Sequence, residues 1–245
     1  MADPDPSRTC RELLERDGRT YAEEGEVGLR DEPAPLYRLL VLATLASTRI
    51  RAEVAAAAAR ELWAAGFTTP QRMRDSTWQQ RVDALGRGGY RRYDESTATA
   101  LAEGAEVVRD RWDDDVRTVR ERCAGSEQLA DGLAGGLAET VAEEVQAVPR
   151  LGPVGAGIFV REVQAVWRDL EPYLDGRAAD AAAAAGLSRQ PDRLAAHVPA
   201  GSFAAGRART ALVDLVDWAT CSGAGGVSSL TAATGTTGAA GTSWR

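Results

Sequence analysis

A chain of 245 residues suits one large domain or two small ones, and 44% hydrophobic with 27% charged residues is the balance of a folded soluble protein. All 29 basic residues are Arg, which excludes Schiff-base chemistry on a lysine side chain. One His (His197) and three scattered Cys (Cys10, Cys123, Cys221) offer no metal-ligand or iron–sulfur spacing, so no metal and no cofactor are expected. A net charge of −7 excludes a protein that coats nucleic acid by bulk attraction, leaving any such contact to local patches.

Abundant Ala, two Ile (Ile50, Ile158) and 6% aromatic residues favour helices over strands and predict an all-α fold. In chain order, an amphipathic helix is predicted near 8–24, ending at Gly25. Pro33 and Pro35 introduce an apolar helix, and an Ala-rich one follows from about Arg49 to Ala65, stopped by Gly66. Pro70 opens a short turn, and Ser76 caps a helix over 77–86. Asp94 or Ser96 caps a long helix reaching Trp112. Further helices are predicted near 115–123, 126–134, 137–148, 156–169, 176–186, 190–197 and 203–219, with a hairpin over Pro149 to Gly155. From Cys221 the chain is almost entirely Gly, Ala, Ser and Thr and reads as a disordered tail.

Charge is unevenly spread. Residues 1–33 hold ten acids against five Arg, whereas 71–92 holds Arg72, Arg74, Arg81, Arg87, Arg91 and Arg92 against Asp75 and Asp83. The second stretch is either a phosphate-facing strip or a solvated helix surface. With no signal-type or membrane-length apolar run, a cytoplasmic protein is expected, nucleoid-associated if bacterial.

The most informative stretch is Leu151-Gly152-Pro153-Val154-Gly155-Ala156-Gly157, preceded by Val148-Pro149-Arg150 and followed by Ile158-Phe159-Val160. It sets a tight glycine turn between two helices. Such a turn lets backbone amides approach a phosphate closely, and it also serves as an ordinary link in an αα-hairpin.

This arrangement resembles the helix-hairpin-helix motif of the endonuclease III superfamily of DNA glycosylases. In that family a conserved Asp lies just past the helix that follows the hairpin, and the matching position here is Asp175, in Glu171-Pro172-Tyr173-Leu174-Asp175. Leu39 to Arg51 looks like the helix pair that bears a DNA-inserting residue, with Arg49 where Gln is usual. Ala178 to Trp218 is similar to the closing helices. The resemblance covers roughly 36–218 and implies a two-lobed helical fold with a central cleft. An N-terminal segment (1–35) would pack on a C-terminal lobe (151–219), beside a barrel lobe (36–150) and the tail 220–245.

Three departures bear on function. Bifunctional members place a catalytic Lys where this chain has Gly157, so Lys-dependent lyase activity is not expected. The four-Cys cluster loop is absent, and Asp175 is followed by Gly176-Arg177 in place of the usual Thr-His. What the resemblance implies is a monofunctional glycosylase acting on damaged double-stranded DNA. The hairpin (Leu151, Gly152, Pro153, Val154, Gly155, Ala156, Gly157) would hold phosphate, and Asp175 would stabilise an oxocarbenium-like sugar and direct water. Arg49 would be the wedge, and Tyr90, Arg91 and Arg92 would supply phosphate contacts or a stacking ring. Each has a plain alternative. Asp175 also suits a helix cap, Arg49 an exposed helix start, and the Tyr90–Tyr93 stretch a loop with one buried ring, expected to be Tyr93. Two other functions stay open: a DNA-binding module of the same fold without catalysis, and an all-α interaction protein. Protein partners and oligomeric state are not readable.

Overall fold

The computed structural model describes residues 5–17, 19–126 and 136–197. Among these it is all-helical. Its α-helices are α1 (Pro6–Asp17), α2 (Tyr21–Glu24), α3 (Pro33–Ala46), α4 (Ala52–Ala64), α5 (Pro70–Asp75), α6 (Trp78–Arg87) and α7 (Asp94–Trp112). They continue with α8 (Arg117–Ala124), α9 (Leu137–Val145), α10 (Pro153–Val163), α11 (Gly176–Ala184) and α12 (Pro191–Ala195), and a 3₁₀ turn spans Arg168–Leu170. The helix expected at 203–219 and the tail 220–245 lie outside the described residues, as does nearly all of that expected at 126–134.

Local chemistry explains most boundaries. The single helix expected over 8–24 is two, because Thr20 and Glu23 form a capping box that restarts the chain at α2. The cap of α6 is Thr77, boxed with Gln80, and not Ser76, whose hydroxyl donates instead to the Met73 carbonyl 2.6 Å away. The Pro70 turn is a short helix capped by Thr69. The long helix starts at Asp94 with Tyr93 at the N-cap position, and left-handed Asp113 ends it.

Helix α3 is the centre of the molecule. Leu36, Tyr37, Leu39, Leu40, Val41, Leu42 and Leu45 bury it on almost every side, as an all-round apolar helix requires. It packs against α4 and α10, and α10 in turn packs against α9. Gly155 makes the α3–α10 approach possible. A Cβ there would lie 2.7 Å from Leu151 Cδ1 and 2.8 Å from Ser47 Cβ.

One large core runs from Ala22 to Leu170. A small separate cluster joins Cys10 of α1 to Ala181, Ala182, Leu187 and Leu194 around α11 and α12. The packing division therefore falls between Tyr173, which packs on the large core, and Leu174, which packs on the small cluster, and not at 150/151. The reason is α10 itself: Gly155 through Val163 is buried without a break, so the helix belongs inside the large core, where Phe159 meets Trp167 edge-on at 6.0 Å. Likewise α2 and Val27 join the large core, leaving α1 alone of the N-terminal segment on the small cluster. Cys10 and Cys123 are free buried thiols.

Candidate functional site

The hairpin turn is built by a residue that sequence reasoning passed over. Arg150 adopts a left-handed conformation (φ 66°), which folds the chain back before Leu151. The Ser47 hydroxyl, at the end of α3, lies 2.9 Å from the Arg150 carbonyl, so it ties the turn to the core. The Arg150 guanidinium reaches the Ser96 hydroxyl at 2.6 Å and lies 5.9 Å from the centre of the Tyr93 ring. Gly152, Pro153 and Val154 are open to solvent, and Val154 is 45% exposed. Leu151, Gly155, Ala156 and Gly157 are buried. Leu151 packs in the large core just before α10 and the other three pack within α10, so the predicted phosphate contact shrinks to the exposed half of the turn.

A cleft of about 1020 Å³ opens beside this turn. Three segments line it: the α3–α4 loop and start of α4 (Ala46 to Glu53), the face of α10 (Pro153, Val154, Gly157, Ile158, Arg161), and the start of α11 (Asp175, Gly176, Arg177), with Tyr21 of α2. The cleft thus brings Arg49, the hairpin and Asp175 together. Arg49 and Arg51 stand exposed on the loop.

Asp175 serves as the N-cap of α11, with Oδ1 accepting from the Ala178 amide at 3.0 Å. Its Oδ2 accepts from Arg161 Nη1 at 2.9 Å, and the side chain is 14% exposed. Gly157 faces it: a Cβ on Gly157 would sit 3.2 Å from the Asp175 Cβ. The Asp175 side chain therefore packs directly over Gly157, and a glycine there gives it room.

Beneath Asp175 lies a buried charge cluster absent from the sequence reading. Arg161 is 2% exposed, between Asp175 and Glu162, whose Oε1 is 3.9 Å from Arg161 Nε. Its guanidinium lies 5.3 Å from the Tyr21 ring centre. Arg161 Nε and Nη2 and Glu162 Oε1 have no hydrogen-bond partner among the described residues. Glu162 Oε2 accepts from the Ala22 amide at 3.0 Å, which fixes α2 and hence Tyr21 at the cleft. Burial opposes the charge on Arg161, but Asp175 and Glu162 more than offset it and raise its pKa. Burial pushes the Glu162 carboxyl upward, against the pull of Arg161 and the Ala22 amide. The signal in the sequence was an Arg-Glu pair inside the apolar run Ile158–Val163, where two charges have no reason to sit unless they are used.

The remaining predicted residues divide. Tyr90 is fully buried and contacts no ligand surface; its hydroxyl bonds Thr48 Oγ1 at 2.8 Å and the Leu45 carbonyl at 3.2 Å, pinning the loop that carries Arg49. The buried ring of that stretch is thus Tyr90. Tyr93 is half-buried, with Arg92 5.3 Å from its ring centre. Arg91 and Arg92 are exposed but do not line the cleft. Half of the basic strip 71–92 is already engaged, while Arg72, Arg91 and Arg92 stand exposed. Arg81 is buried, Arg74 pairs with Asp114 at 2.6 Å, and Arg87 with Glu61 at 2.7 Å.

Among the described residues no helix is long and apolar enough to cross a membrane, and no group of His, Cys, Asp or Glu is placed to hold a metal ion. Comparison with protein-family models, with curated proteins and with solved structures finds no match to this chain.

Proposed function

We propose that this protein is a helix-hairpin-helix DNA glycosylase of the monofunctional kind, which releases a damaged base by hydrolysis without a lysine. The observation that carries this reading is the meeting of Asp175, the exposed hairpin turn and Arg49 in one cleft. The chemistry needs a carboxylate under the sugar C1′ as positive charge develops there, and a water directed at the same carbon. Asp175 accepts from the α11 amide and from Arg161, and these two bonds hold its carboxylate at the cleft. Gly152, Pro153 and Val154 would meet the phosphate backbone, and Arg49 would fill the gap left by an extruded base.

Duplexes carrying single lesions are the test. Base release should appear with the wild-type protein and be lost in Asp175→Asn, which keeps an oxygen for the cap, while duplex affinity changes little. Borohydride should trap no side-chain adduct, since the chain has no lysine. Undiminished base release in Asp175→Asn would overturn the mechanism.

One observation favours a second reading. Both carboxylate oxygens of Asp175 are already engaged, so the residue has a complete structural role. A DNA-binding module without catalysis would bind duplex with steep salt dependence and release no base from any lesion.

A further inference from the structure

Two carboxylates share one guanidinium beneath the cleft, and the charges do not balance. Arg161 pairs with Asp175 and lies beside Glu162, and Arg161 and Glu162 are 2% and 1% exposed. Surplus negative charge is costly in a dry interior, and a proton on one carboxylate relieves it. Geometry says which one takes it. Asp175 stands at the cleft, 14% exposed, with Oδ1 on the Ala178 amide and Oδ2 on Arg161 Nη1. Glu162 lies deeper, and its Oε1 has no hydrogen-bond partner among the described residues. The groups that face Glu162 are Arg161 on its own helix, the Tyr21 and Ala22 amides and the Glu23 carboxylate of α2, and Asp175 by way of Arg161. Burial outweighs the pull of Arg161 and the two amides and raises the Glu162 pKa.

That proton decides whose partner Arg161 is. With Glu162 neutral, the guanidinium charge belongs to Asp175 alone. With Glu162 ionised, Oε1, 3.9 Å from Arg161 Nε, competes for the same cation and the hold on Asp175 Oδ2 slackens. We infer that Glu162 is a positioning residue acting through Arg161, its protonated form fixing Asp175 at the cleft and its ionised form loosening it. The consequence for catalysis rests on the glycosylase reading: base release falls as pH rises through the titration of Glu162.

The test uses the full chain with isotope-labelled Asp and Glu carboxyl carbons, followed by NMR against pH, beside base release from single-lesion duplexes over the same range. In the wild type the Asp175 resonance should shift in step with that of Glu162, above the ordinary carboxylate range. Asp180, on the same helix but paired with Arg189 at the surface, should not follow. Release should fall about fivefold or more across that step, the scale of a weakened bond to a charged group. Glu162→Gln keeps an oxygen for the Ala22 amide and cannot ionise, so its release profile should stay flat there and its Asp175 resonance should lose the step. Melting curves confirm that the variant folds. Should it not fold, the wild-type resonances and release profile decide.

An Asp175 resonance blind to the titration of Glu162, a wild-type release profile flat across it, or a fall that persists in Glu162→Gln would overturn the inference while leaving the glycosylase reading intact. If the two resonances move together yet no base is released from any lesion, the coupling stands and the hydrolytic reading falls. Uncoupled resonances without release overturn both.

Discussion

Arg81 and Arg161 are both buried, yet they report opposite uses of the same side chain. Arg81 lies in the basic strip that looked ready for phosphate. Its Nε donates to the Ala98 carbonyl at 2.8 Å and its Nη1 to the Ser76 carbonyl at 2.6 Å and hydroxyl at 2.8 Å, stapling α6 to α5 and α7. Arg161 lies inside the apolar run of α10, faces two carboxylates and leaves Nε and Nη2 without a partner among the described residues. A guanidinium ringed by carbonyls fastens backbone to backbone; one balanced by carboxylates holds charged side chains in place at the cleft. Local charge density in the sequence records where arginines are and not what they already hold.

Stability measurements should break or confirm this contrast. The largest effect is expected for Arg161→Ala, which strands Asp175 and Glu162 without a counter-charge and should cost about 3–5 kcal/mol in urea unfolding at pH 7. Arg81→Met leaves only neutral acceptors behind, so about 1–3 kcal/mol is expected. A larger loss from Arg81→Met than from Arg161→Ala would reverse the assignment of roles.

The pH dependence separates the two sites further. Burial raises the Glu162 pKa above its unfolded value, so the folded state holds that proton more tightly. Between the unfolded and folded pKa values the native state binds more protons, and stability falls as pH rises through that window. Glu162→Gln should flatten this fall, while Arg81→Met should lower stability by the same amount at every pH across it. Urea midpoints taken from the ordinary carboxylate range up to neutrality make the comparison. A wild-type slope that survives in Glu162→Gln would place its origin elsewhere.

Packing gives the next smaller step. Gly155→Ala would press on Leu151 and Ser47 where α10 meets α3, at about 1–3 kcal/mol, while Gly152→Ala, with nothing within 4 Å, should stay within about 0.5 kcal/mol by the same assay.

How much of this was legible varies with the physics involved. Helices announced themselves where period, proline and cap coincide, as in α3 behind Pro33 and α11 behind Asp175. The 8–24 stretch was misread as one helix because a capping box at Thr20 interrupts a continuous amphipathic pattern. The hairpin was legible in its glycine turn and the resemblance supplied Asp175 and Arg49, but the cleft that joins them needed three dimensions. The buried ring was expected to be Tyr93 and is Tyr90, since which ring turns inward depends on a long-range bond to Thr48. Arg161 and Glu162 were missed because an apolar run invites a core assignment. Recognising them required asking why a core helix carries adjacent opposite charges.

The smallest expected effect also tests the contrast most directly at the surface. Arg87 and Glu61 form an ion pair with side chains 53% and 37% exposed, so a double-mutant cycle should give a coupling of about 0.2–1 kcal/mol that shrinks as salt rises. Because Arg87 is engaged and lies outside the cleft, Arg87→Ala should leave the salt dependence of duplex binding unchanged. Arg49 is exposed at the cleft with no carboxylate partner among the described residues, so Arg49→Ala should reduce the slope of log K against log salt by about one. Equal slopes in the two variants would mean that duplex meets the strip and the cleft alike, and the distinction between spent and available arginines would lose its functional content.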